Sequence, residues 1–206
     1  MTAESEPAPK TRLAFLSTIG DLHTTTLQYD LTCLRTLITQ ISPDLLCAEI
    51  SRTAWEGNSL SGVPLEVREA LIPVVLASDI VLIPVAPNQP TNPGLLPEWR
   101  KSLVRTFDRV LQWGQRQANG PEGIHSLTFE TFCHSVCALT EISWTGFERT
   151  AWKEENEALA ANIIQAVRRD PGCRVLVVVQ CQRVHTLEPI LKRHWDLIKL
   201  VRYKDL

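Results

Sequence analysis

No stretch of the chain approaches the ~20 consecutive apolar residues that a membrane-spanning helix needs. Its first ten residues, MTAESEPAPK, carry neither the basic start nor the apolar core of a secretory leader. These absences set the expectation of a cytoplasmic protein without a membrane partner. A dominant charge is lacking as well: 21 Lys and Arg against 23 Asp and Glu leave a formal net charge of −2. With no local basic patch either, nucleic acid is excluded as an expected partner. The six cysteines lack the short spacings of a disulfide framework, which favours reduced, buried thiols. Cys133 and Cys137 stand i, i+4 around His134, but nothing nearby completes a four-ligand zinc set, so they read as thiols on one buried helical face. The absence of any internal repeat of fixed period excludes a solenoid.

What is present is a chain of 206 residues, 44% hydrophobic, long enough to bury one sizeable core. Residues 1–10, with two prolines and two glutamates, read as a disordered tail, and residues 11–206 as one α/β domain with a helical insertion over about 97–145. Short apolar runs predict strands at Arg12–Thr18, Asp44–Ile50, Ile80–Val85, Arg174–Val179 and Asp196–Arg202. Pro84 speaks against a regular central strand at the third of these. Apolar residues at helical spacing predict helices over Thr25–Ile41, with Thr24 or Thr25 as its cap, and over Pro64–Ala77. Further helices are expected over Pro97–Ala118, Leu127–Ile142, Phe147–Arg169 and Thr186–His194, and Asn88–Gly94 reads as a loop. The tryptophans of the helical part are expected to pack in the core. Strands alternating with helices give a mostly parallel sheet of about five strands flanked by helices.

In an open parallel sheet, ligands bind beyond the carboxyl ends of the strands. That rule selects Gly20, Asp21 and His23 after strand one, Glu49 at the end of strand two, Asn88 after strand three, and Arg183 and His185 after strand four. If strands one and two pair, His23 and Glu49 lie on neighbouring loops, where a metal can bridge them or the carboxylate can orient the imidazole. Purely structural roles compete with this reading: Asp21 as a helix cap, His23 as a packed ring, Glu49 as a partner of Arg52, and His185 as a cap of its own helix.

Gly20-Asp21-Leu22-His23, the helix after it, and Ser42-Pro43-Asp44-Leu45-Leu46-Cys47-Ala48-Glu49 resemble the opening of the TraB/Tiki, ChaN-like and erythromycin-esterase-like superfamily. Its members begin with a strand, a GxxH motif, a helix and a strand ending in glutamate. Glu66 to Val85 is similar to the family's Glu-bearing helix and short strand, and Asn156 to Ile163 with Val175 to Leu191 resembles its closing elements. The resemblance implies a metal-assisted hydrolase, with His23 and Glu49 as catalytic residues and metal ligands, and a divalent metal ion as the cofactor. It also carries departures. Arg183 falls where the second GxxH has its histidine, Glu155 stands where members often have arginine, and Ala86 stands where an aspartate ends strand three. The ligand set then needs His185, Cys181 or Glu69 as a substitute.

Two functions follow. One is a hydrolase-like enzyme with His185 as a displaced third ligand beside His23 and Glu49. The other is a non-catalytic binding or regulatory protein for a small molecule, with Arg183 turning the crevice toward an anion. A haem carrier is disfavoured, because nothing beyond His23 marks an axial ligand. Homo-oligomerisation is left open by the composition.

Overall fold

The computed structural model describes residues 9–25, 28–88 and 96–206. The expected N-terminal tail, apart from Pro9 and Lys10, and the Asn88–Gly94 loop, apart from Asn88, lie outside the described residues. The fold is α/β. Strands β1 (Thr11–Thr18), β2 (Leu45–Ser51), β3 (Val81–Ala86), β4 (Arg174–Gln180) and β5 (Ile198–Leu200) form one all-parallel sheet in the order β3-β2-β4-β1-β5. Strands one and two are therefore not neighbours, since β4 lies between them. The reason is burial: Val175 to Val179 are all buried, and the most continuously apolar strand takes the place that is covered on both faces and paired on both edges.

Alternation along the strands divides the core into two layers. On one face, Leu16, Leu46, Leu176 and Val178 pack against α1 (Leu31–Ile41) and against α4 (Glu98–Gln117) and α6 (Leu127–Ser143) of the helical middle. On the other face, Leu13, Cys47, Val175, Val177 and Val179 meet α7 (Gly146–Arg169) and α8 (Cys181–Lys192). The short helices α2 (Arg52–Glu56), α3 (Ile72–Leu76) and α5 (Gly120–Ile124) complete the order. No helix among the described residues is long and apolar enough to cross a membrane. All six cysteines are free thiols.

Several boundaries differ from expectation for identifiable reasons. Helix α1 starts at Leu31, not Thr25, because Gly20–Thr24 forms a 3₁₀ turn in which the Thr24 and Thr25 hydroxyls bond back to the carbonyls of Asp21 and Leu22. Asp30 caps the helix instead, its carboxylate accepting from the Cys33 N–H at 2.7 Å. Helix α8 begins at Cys181, directly after β4 and five residues before the expected Thr186. Pro84 sits inside β3, which is an edge strand. The Val81 N–H points inward to the Asp44 carbonyl, so the alternation of the strand turns the donor-less nitrogen of Pro84 to the open side. The tryptophans do not all pack inside: Trp99, Trp113 and Trp195 are 60%, 61% and 70% exposed.

The helix that runs into α3 contains a π-wound turn, Val67–Leu71. Pro73 explains it locally, having no N–H to return to the preceding turn. Arg35 of α1 fills the gap, donating to the Glu69 carbonyl from Nε at 2.9 Å and also from Nη2. Replacing Arg35 with Ala is expected to cost about 1 kcal/mol in a urea melt. The loss should shrink in a Pro73→Ala background, where the restored N–H satisfies that turn, and an unchanged loss in the double variant would refute the account.

Candidate functional site

The site starts from topology. After β1 the chain crosses toward β2 through α1 on one face, and after β4 it crosses toward β5 through α8 on the other. The ends of β1 and β4 therefore part at a topological switch point, where an open parallel sheet leaves a crevice. A cavity of about 410 Å³ lies there. Its floor is Thr18, Gly20 and Asp21 from the end of β1 and Gln180, Cys181 and Gln182 from the end of β4, and its wall is Asp108, Leu111, Gln112 and Gln115 of α4. Helix α4 of the helical middle thus forms one side of the crevice. Gly20 adopts φ +59°, a left-handed conformation that a side chain resists, and this turn carries the chain out of β1 along the rim. Four glutamines and two carboxylates line the space, with no lysine or arginine among them. Burial raises the pKa of Asp108.

His23 belongs to a different task. Its Nε2 accepts from the Ile19 N–H at 3.2 Å and its Nδ1 lies 2.7 Å from the Tyr29 carbonyl. Nδ1 therefore carries the proton, both ring nitrogens are engaged, and the ring is 2% exposed. Tyr29 in turn donates its hydroxyl to the Ser17 carbonyl at 2.9 Å, and His125 Nε2 accepts from the Ser17 N–H at 3.0 Å. Burial lowers the pKa of His23, against the opposing pull of the Tyr29 carbonyl, and brings His125 down to about 4.

Glu49 meets Arg183, not Arg52. Its Oε1 accepts from the Gln180 N–H at 3.0 Å, and its Oε2 lies 3.3 Å from Arg183 Nε. The same guanidinium reaches Glu155 at 2.5 Å and the side-chain oxygen of Asn156 at 3.3 Å, and lies over the Trp152 ring at 4.7 Å. Burial raises the Glu49 pKa in spite of Arg183 and the Gln180 N–H, which favour the carboxylate. Two of the departures noted in the sequence, Arg183 and Glu155, are thus partners in one ion pair.

The remaining candidates are dispersed. Gly20 and Asp21 line the crevice. Asn88 accepts from Thr53 and lines a separate cavity beside Arg52 and Arg169. Glu69 is an outward carboxylate paired with Arg68. His185 stacks on His134, 5.2 Å between ring centroids, in a third cavity between α6 and α8. The expected metal set of His23, Glu49 and His185 does not fit a divalent ion. Neither nitrogen of His23 has a free lone pair, both oxygens of Glu49 are bonded, and His185 lies in another cavity. Among the described residues, no group of three or more His, Cys, Asp or Glu side chains is arranged to hold a metal.

Sequence reasoning missed Glu66 and the α4 wall. Glu66 is 3% exposed, its Oε1 accepts the Thr18 hydroxyl at 2.7 Å, and its Oε2 has no partner among the described residues. The signal was the helical face: Glu66 shares the buried side with Val67, Ala70 and Leu71, and Glu69 faces away. For Asp108, Gln112 and Gln115, polar positions on an amphipathic helix, no sequence signal separates cavity from solvent. No protein-family model, curated protein or solved structure matches the chain.

Two outcomes follow from the bonded histidines. His23→Ala leaves the Ile19 N–H and the Tyr29 carbonyl unpaired and is expected to lower stability by about 1–3 kcal/mol in a denaturant melt. For His125 the folded pKa of about 4 lies below the ordinary 6.5, so the unfolded chain takes up the proton first as pH falls through 6.5. Stability is lost on acidification until the folded ring itself titrates, with a loss of about 2 kcal/mol between pH 7 and pH 5. Urea midpoints across that range measure it, and His125→Gln should flatten the dependence.

Proposed function

We propose that this protein is a non-catalytic small-molecule-binding or regulatory protein on a scaffold similar to the TraB/Tiki, ChaN-like and erythromycin-esterase-like superfamily, with the chemistry lost. The observation that carries the reading is the contrast at one sheet edge. His23, Glu49 and Arg183 spend their bonding capacity on internal partners, while the neighbouring crevice between β1 and β4 stays open and polar. The Arg183–Glu155 pair supports loss of function at this point, since the two substitutions that break the family pattern compensate each other in charge.

The ligand differs from the anion that Arg183 alone suggested. Two carboxylates already neutralise that guanidinium, and the crevice offers amides and carboxylates. Its chemistry suits a neutral or cationic polar molecule, such as a polyol or a primary amine, held by hydrogen bonds. The six free thiols fit a reducing compartment and support action in the cytoplasm. A hydrolase reading retains one favouring observation, the unbonded buried oxygen of Glu66.

Metal analysis with a ligand screen separates the two. The purified protein is expected to carry well under one equivalent of any divalent metal. Its thermal midpoint is expected to rise with members of a polyol and primary-amine panel. Gln112→Trp, which fills the crevice from the exposed side of α4, should remove that rise and leave the unliganded midpoint in place. A stoichiometric metal, with a hydrolytic activity lost in Glu49→Gln, would establish the enzyme instead.

A further inference from the structure

Cys181, at the crevice floor, belongs also to a cluster of thiols that the Arg183 network does not use. Cys181 opens α8, and its sulfur receives a hydrogen bond from the Gln115 amide, Nε2 to Sγ 3.3 Å, and another from the Cys133 thiol, Sγ to Sγ 3.6 Å. Cys137 stands one turn further along α6 from Cys133. Cys181 walls both the crevice and the cavity of about 330 Å³ between α6 and α8, and Cys133 lines the second of these. Cys181 therefore borders a cavity on each of two sides and Cys133 borders one, although the residues are only 5% and 4% exposed.

We propose that Cys181 and Cys133 form a redox-active dithiol that reduces small hydroperoxides and closes into a disulfide between α8 and α6. The sulfurs must approach by about 1.5 Å from 3.6 Å to reach the ~2.05 Å of the bond. The Cys181 thiolate attacks the terminal peroxide oxygen; the O–O bond breaks, and the sulfur is left as a sulfenic acid while the other oxygen leaves as water or alcohol with a proton. The Cys133 thiol then attacks the Cys181 sulfur, the S–S bond forms, and the sulfenic oxygen leaves as water. The two thiols supply the two electrons that reduce one peroxide.

The division of roles follows from the surroundings. Hydrogen bonds from Cys133 first, then from Gln115 and the start of α8, lower the Cys181 thiol against its burial. Cys133, facing that sulfur and Cys137, is pushed well up and stays protonated. The competing thiols Cys33 and Cys173 are more exposed, yet burial first and a neighbouring aspartate second raise both. Selectivity for Cys181 over these two accessible rivals is what distinguishes a built dithiol from incidental oxidation. The reaction consumes nothing from the crevice ligand, and the α6–α8 cavity borders both sulfurs outside the ligand seat.

The test is hydrogen peroxide added in slight excess to the reduced full chain, followed by intact mass and non-reducing peptide mapping. The expected result is a loss of two hydrogens, a Cys133–Cys181 linked peptide, and reversal by dithiothreitol. Cys133→Ser should stop at a sulfenic acid on Cys181 that dimedone traps, and Cys181→Ser should slow peroxide consumption about tenfold or more. First oxidation at Cys33 or Cys173, or a Cys133–Cys137 link, overturns the proposal. So does consumption by Cys181→Ser at the unsubstituted rate. Because peptide mapping of the unsubstituted chain needs no variant, it separates these outcomes even where a substituted chain fails to fold.

Discussion

The fold depends on how the far half of β1 is satisfied. Along β4 the strand is hydrogen-bonded from Arg12 to Thr18, but β5 accompanies it only from Thr11 to Leu13. Beyond that point its outward backbone groups are buried and need partners from elsewhere. Side chains take the place of the missing strand: His125 accepts the Ser17 N–H, Tyr29 donates to the Ser17 carbonyl, and His23 ties Tyr29 to Ile19. The GxxH motif serves here as part of a splice, joining the end of β1 to the loop before α1. That splice also fixes where Gly20 and Asp21 emerge, and so the shape of the crevice.

A second constraint is electrostatic. Arg183 cannot lose its charge, whereas a histidine in its place would switch with pH and lend a lone pair. Placed between Glu49 and Glu155 and stacked on Trp152, it makes this part of the sheet edge a fixed ion pair. Burial of such a pair gains little net stability, but removing either partner strands the other. A single substitution at Arg183 therefore disturbs more than one contact, because Glu155 and Glu49 are both matched to the guanidinium.

Most of the element order was legible in the sequence, because apolar runs and helical spacing reflect burial directly: β1, β4, α6 and α7 lie within a residue or so of expectation. Strand order was less so. Nothing local records that β4 enters between β1 and β2, and only its unbroken valines hint at a central place. The start of α1 was misplaced because Asp30 and Thr25 both suit a cap, and the 3₁₀ turn that decides between them depends on β1. The residues at the strand ends were identified, but not their bonding. Whether a histidine is free or consumed is a property of neighbours such as Ile19 and Tyr29, and spacing does not encode it. Glu66 was passed over for Glu69 although the helical face favoured it.

The proline of β3 bears on how the molecule behaves beside others of its kind. An edge strand presents a ladder of unmatched donors and acceptors, a ready template for the strand of another chain. Here the ladder is broken, because Pro84 turns a nitrogen without hydrogen to the open side. An incoming strand would have to leave one of its own carbonyls unpaired at this position. The sheet is thereby closed to growth along this edge, so that aggregation by strand addition is discouraged at the point where a parallel α/β sheet is otherwise most exposed to it.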